Sequence, residues 1–226
     1  MPEQIVPTVK LAPRRAEQDQ AIANLITEIQ QMIGQVQADA ELAECLAGRG
    51  YHAAKLAEGL ALQQAAQAAF TARQTAMAAQ KQASATAAEA ENAARMAYTD
   101  FRATARALFG SVADRAALGL TGVTPKDAQK FITLARASYA AAQSEPYTAT
   151  LSTYGLSAQA INAALTTLDT FSAADQAQGA AIAGAVQATT KRDAAAKELE
   201  QWGKQFRRIA AVALRAEPTQ AKKLGV

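Results

Sequence analysis

Residues 101–120 read FRATARALFGSVADRAALGL, and residues 206–226 read FRRIAAVALRAEPTQAKKLGV. Both open on Phe-Arg, run through small apolar residues and close on Leu-Gly followed by an aliphatic residue. Phe101-Arg102 and Phe206-Arg207 stand 105 residues apart. Working outward at that offset, Leu46 falls on Leu151, Gly50 on Gly155, Leu56 on Ile161, Leu60 on Leu165 and Met77 on Ile182, without a gap. One residue of slip then sets Leu118-Gly119-Leu120 on Leu224-Gly225-Val226. Alanine coincidences carry no weight in such a composition, but Gly, Phe-Arg and Leu-Gly matches at one offset do. The chain therefore reads as an internal duplication. Its expected organisation is an extended or disordered arm over 1–13, containing Pro2, Pro7 and Pro13, then one helical repeat over 14–120 and a second over 121–226.

The composition sets the class of each copy. Half of the 226 residues are apolar, yet Ala supplies much of that share and aromatics only 5%. Ala has the highest helix propensity and loses no side-chain entropy on folding, but it buries little area. Such a chain gains its core from many small contacts along helices, so the expected fold is all-α, an elongated helical bundle. In the first copy Ile22, Leu25, Ile26, Ile29, Met32 and Ile33 recur at helical spacing over residues 15–44. In the second, Thr124-Pro125 suits an N-cap and first helical position, and Phe131, Leu134, Ala135 and Ser138 continue the face. Gly48 and Gly50 break the first copy, and the stretch from Pro146 to Gly155 breaks the second.

Long proline-free stretches follow over 51–109 and 156–215. Ile161, Leu165, Leu168, Ile182 and Val186 hold a heptad-like a/d phase, as do Leu199, Trp202, Phe206, Ile209 and Ala213. A turn near 83–86 and 189–190, capped by Ser84, Thr86, Thr189 or Thr190, divides each stretch into two helices and makes each copy a three-helix unit. An unbroken long helix is the alternative. Phe101 and Phe206 anchor the last helix of each copy. Gly119 and Gly225 suit the left-handed residue that closes a helix. The stretch from Gly119 to Pro125 becomes a hinge between copies. The structural anchors of the repeat are thus Leu46, Gly50, Phe101, Arg102 and Gly119 in one copy, and Leu151, Gly155, Trp202, Phe206, Arg207 and Gly225 in the other.

Net charge is a modest +3 with a pI near 9.0, which gives no strong nucleic-acid signal. The charge is uneven. Residues 1–58 carry five basic and eight acidic residues, and residues 189–226 carry nine and four; the simpler reading is solvated helix faces, and the sharper one is ends of opposite charge that favour head-to-tail association. No Sec-type apolar leader and no uncharged apolar run of about 18 residues is present, so a cytoplasmic protein without a transmembrane segment is expected, export by a signal-independent route aside. Cys45 is the one cysteine, which forbids an intrachain disulfide.

Chemistry-bearing groups are sparse. His52 is the one histidine, and Ser157 stands at its place in the second copy, so a capping or surface role is expected. With one His and one Cys, a zinc site of the usual ligand types is not expected, and Cys45 reads as a small buried apolar residue. Glu41 with Glu44, and Glu89 with Glu91, lack the Glu-x-x-His pattern of a di-metal bundle and read as solvated acids. No phosphate-binding Gly loop or nucleophile elbow occurs. Trp202-Gly203 lacks the spacing of a secreted WXG hairpin. Hence no catalytic, metal or cofactor residue is assigned. Arg102 and Arg106, with Lys204, Arg207 and Arg208, form basic faces that suit an anionic membrane surface or, more simply, offset helix dipoles.

The functional expectation is a non-catalytic structural or protein-interaction protein that forms a homo-oligomer or offers a long helical face to a protein partner. The alternative is an amphipathic binder of an anionic membrane or storage granule. The Ala- and Gln-rich amphipathic helices are similar, by composition alone, to those of phasin-like granule coats. Spectrin-type arrays run one repeat's last helix into the next repeat's first, which Gly119, Gly122 and Pro125 preclude.

Overall fold

The computed structural model describes residues 15–226, so the arm expected over 1–13 lies outside the described residues. Among these the chain is all-α, with no strand. The elements are α1 (Arg15–Ala38), α2 (Ala40–Ala47), α3 (Ala53–Leu108), α4 (Val112–Ala117), α5 (Ala128–Ala142), α6 (Tyr147–Thr153), α7 (Ala158–Ala213) and α8 (Pro218–Leu224).

Local chemistry accounts for most boundaries. Asp39 caps α2 by accepting from the Leu42 amide, Ser111 caps α4 through Asp114, and Asp127 caps α5 through Lys130. Gly50 and Gly155 take left-handed φ values of 90° and 85°, and Gly119 and Gly225 both take 67°. Each allows the next amide to reach back to the helix: Tyr51 to Leu46 (3.0 Å), Leu156 to Leu151 (3.1 Å), Leu120 to Arg115 (2.7 Å) and Val226 to Ala221 (3.1 Å).

The expected turns near 83–86 and 189–190 do not form, and this corrects the three-helix reading of each copy. Helices α3 and α7 run unbroken for 56 residues each. Hydroxyl residues inside these helices satisfy themselves without ending them. Thr99, Thr166 and Thr170 donate to carbonyls one turn back at 2.7–3.0 Å. Ser84 accepts from Gln178 of α7 (3.2 Å) instead of capping. The alanines around it hold the helix together.

An unbroken helix cannot fold back on itself, so its two ends pack in different places. The described residues divide into two compact units, one of the residues up to Thr75 with Gln187–Val226 and the other of Ala76–Val186. Neither unit coincides with a repeat expected from the sequence. The first unit takes α1, α2 and the start of α3, with the end of α7 and α8. The second unit takes the end of α3 with α4, and α5, α6 and the start of α7.

In the first unit, α1 presents Ile22, Ile26, Ile29, Met32, Ile33 and Val36 to the core. Trp202 stacks on Phe206 (centroids 5.2 Å apart, 6° between planes), and Tyr51 meets both rings edge-on. Two glycines permit this packing. A Cβ on Gly59 would overlap the Trp202 indole, and one on Gly203 would lie 2.5 Å from Ile29 Cδ1. The carboxylate of Asp39 accepts from Lys223 (2.7 Å), tying α2 to α8. The Lys223 ammonium and the Leu42 amide hold the Asp39 carboxyl below the usual carboxylate range. That tie is therefore complete at neutral pH and is lost as pH falls through the depressed pKa.

The second unit centres on aromatic rings. Tyr98 meets Phe131 and Tyr139 edge-on (5.6 and 6.0 Å), Phe101 meets Tyr139 (5.0 Å), and Phe131 lies 6.2 Å from Phe171. Ala105, Leu118, Leu120, Leu151, Ile161 and Leu168 complete the core.

Because both units draw on both sides of the connection after α4, a cut there should not separate the halves. Cleavage at a protease site inserted after Val123, which is 92% exposed, is expected to leave two fragments that co-elute in size exclusion and separate only in denaturant. Fragments that separate under native conditions would contradict the shared cores.

Candidate interaction surface

A buried polar group of the first unit joins three helices. Asp19 of α1 pairs with Arg73 of α3 (2.8 Å) and with Arg192 of α7, and Arg192 also pairs with Asp193 (2.6 Å). The side chains of Arg73 and Arg192 are 9% and 2% exposed. Two cations sit on two carboxylates, so the charges balance and the cluster sets the register of α1 against both long helices. Sequence reading missed it. The available signal was an isolated Arg73 in an uncharged stretch that runs from Lys55-Leu-Ala-Glu58 to Lys81.

In the second unit the arginine face of α3 turns toward its own connecting segment. Arg95 donates to the carbonyls of Pro125 and Lys126 (2.8 Å each), lies over the Phe131 ring (4.4 Å) and pairs with Glu91 (2.7 Å). Arg102 donates to Thr124 Oγ1 and to the carbonyls of Leu120 and Gly122. Arg106 donates to the Leu120 carbonyl through Nε (3.1 Å). The segment expected to be a hinge is thus held by three guanidinium groups. The groups that an anionic surface would need from Arg102 and Arg106 are engaged by backbone oxygens. On α7, Arg207 stands 3.1 Å from Glu28, and Lys204 stands 2.7 Å from Glu200.

The other residues singled out in the sequence fall in several places. Leu46, Trp202 and Phe206 are buried in the first unit, and Phe101 and Leu151 in the second. Gly50, Gly119, Gly155 and Gly225 occupy the left-handed closing positions described above. Cys45 is half-buried against the first core. His52 is exposed before α3, where its carbonyl accepts from Lys55 and Leu56. Glu41 accepts from Gln220 (3.3 Å), and Glu44 lines a cavity of about 430 Å³ beside His52 and Tyr51. No group of three metal-ligating side chains converges among the described residues. Burial pushes the Tyr139 phenol up, so it stays neutral in its aromatic surroundings.

Ile182 and Val186 depart from the sequence expectation. The a/d phase that runs through Ile161 and Leu168 was expected to bury them, yet they are 42% and 64% exposed. The buried line instead passes through Leu168, Phe171 and Ala185. The phase slips across Ser172, Asp175 and Gly179, where no large apolar side chain holds it.

The reason lies in how far α5 extends. Gln129, in its first turn, donates to Asp175 of α7 (2.8 Å), and Phe131 packs on Phe171. The second core stops there, at Phe171 on α7 and Ala90 on α3. Over residues 76–89 and 172–186 only Ala87 and Ala185 are buried. The outer faces of α3 and α7 in this stretch are exposed and nearly uncharged: residues 76–88 carry one charge, Lys81, and residues 176–186 carry none. A stretch whose fully buried residues are alanines buries little area.

Among the described residues, no helix is long and apolar enough to cross a membrane. Comparison with protein families, curated proteins and solved structures finds no match to this chain.

Proposed function

We propose that this chain is a non-catalytic structural or protein-interaction protein, a duplicated alanine-rich helical bundle that associates with further copies of itself. The observation that carries the reading is the thin stretch of the second unit, where over residues 76–89 and 172–186 only Ala87 and Ala185 are buried and Ile182 and Val186 are exposed. Burying more surface in an assembly offsets the small area that such a stretch buries alone.

The duplication is supported by local geometry. Helices α3 and α7 have the same length and begin 105 residues apart, at Ala53 and Ala158. The left-handed pair Gly50 and Gly155 keeps that spacing, and Gly119 with Gly225 adds the one-residue slip. In this reading the two copies have exchanged their closing segments, so that each compact unit contains parts of both.

Light scattering behind size exclusion, across a concentration series, tests the reading. A mass well above the 23.6 kDa chain, or one that grows with concentration, supports it. A mass of one chain at every concentration removes self-association.

A further inference from the structure

The surface that self-association would use can be located. On α7, Gly179, Ile182, Ala183 and Val186 follow at i, i+3, i+4 and i+7, and all four are exposed. They form one stripe, and its two large side chains are among the exposed large hydrophobic residues of the chain. We propose that this stripe is a homodimer interface, in which α7 packs against α7 of a second copy and the α3–α7 pairs of both copies form a four-helix stretch. The inference rests on the self-association reading above and assigns it a place.

Three features favour a second copy as the occupant. The first is charge. In a two-fold interface a residue near the axis faces its own equivalent, so a charged stripe repels itself. From Gln176 to Val186 the helix carries no charge at all, whereas farther along α7 Lys197, Glu200 and Lys204 interrupt the exposed surface within two turns. A basic or acidic partner finds nothing to pair with here. An identical neutral face meets no penalty.

The second feature is shape. Gly179 and Ala183, one turn apart, leave a shallow groove beside the ridge of Ile182 and Val186. Ridges at i±4 seated in the grooves of an identical helix are the commonest helix-packing arrangement. The space around Gly179 is open, since a Cβ placed on it would meet nothing within 4 Å. The glycine therefore makes no close approach within the chain, unlike Gly59 and Gly203.

The third feature is extent. One stripe falls short of the roughly 1,000 Å² that a stable interface buries. The exposed positions of residues 76–88 of α3, which carry the single charge Lys81, extend the contact in the proposed four-helix stretch.

The test compares the full-length wild-type chain with Ile182→Lys, Val186→Lys and the control Val212→Lys, each by light scattering over a concentration series and by far-ultraviolet circular dichroism. Ile182, Val186 and Val212 are all exposed on α7, so all three variants should keep the wild-type helicity. The wild type and Val212→Lys should associate alike. Ile182→Lys and Val186→Lys should weaken association by at least about 100-fold, because the new ammonium groups face each other across the axis. If the wild type associates and both stripe variants associate equally well, this interface is wrong while self-association stands. If the wild type is a single chain at every concentration, self-association itself fails, and the interface with it. A loss of helicity in Ile182→Lys leaves Val186→Lys to decide, and loss in both contradicts the exposed position assigned to the stripe.

Discussion

Asp19→Ala should be among the most damaging single substitutions in this chain, at about 3–5 kcal/mol. The carboxylate is the shared partner of Arg73 and Arg192, whose side chains are 9% and 2% exposed. Removing it leaves Arg73 buried without its counter-ion, and leaves Arg192 with Asp193 alone. Much of the cost is that of an unpaired buried cation rather than the worth of the pair. A chain of this size should then melt roughly 6–20 °C lower. Thermal and urea unfolding would measure the loss. The triple variant Asp19→Leu, Arg73→Met, Arg192→Met removes every stranded charge and should recover most of the stability, as apolar replacements of buried ion networks often do. A loss below about 0.5 kcal/mol in Asp19→Ala, the range of an ordinary surface change, would show that water already solvates both arginines.

The close approach at Gly59 and Trp202 gives the second large effect. Trp202→Ala deletes a buried indole that stacks on Phe206 and meets Tyr51 edge-on, and should cost about 3–5 kcal/mol. Gly59→Ala is the sharper test. In an exposed helix this change stabilises by about 1 kcal/mol. Here the added methyl overlaps a rigid ring, and overpacking of that kind costs about 1–3 kcal/mol. The sign of the change therefore reports whether α3 and α7 meet at this point. Gly59→Leu should be worse alone but should partly rescue Trp202→Ala by refilling the space. Stabilisation by Gly59→Ala, or additive effects in the double variant, would place the two residues apart.

These two predictions involve residues of different legibility. Trp202 stood out as a large side chain in the apolar phase of residues 199–213. Nothing within a few residues of Gly59 marked it as the partner of Trp202, because the two lie on helices far apart in sequence. Likewise, nothing near Arg73 or Arg192 in the sequence marked Asp19 as their shared partner. The interface stripe was visible as Ile182 and Val186, but the sequence phase turned those residues inward. The second core ends at Phe171 on α7, against Phe131 in the first turn of α5, and that limit leaves both side chains exposed.

What the sequence by itself determined is local. Alanine content and helical periodicity require an all-α chain, and glycines that tolerate left-handed backbone close its helices at Gly50, Gly119, Gly155 and Gly225. Those preferences act over one or two turns, so they can be read along the chain. The pairing of helices was decided by the tertiary structure. One alanine face packs against another almost equally well in many registers, and each contact contributes little. The few positions that discriminate, Gly59 against Trp202 and Asp19 against two arginines, act only once distant segments meet. The continuity of α3 and α7 then sends the two ends of each long helix into different cores, an outcome that no local signal encodes.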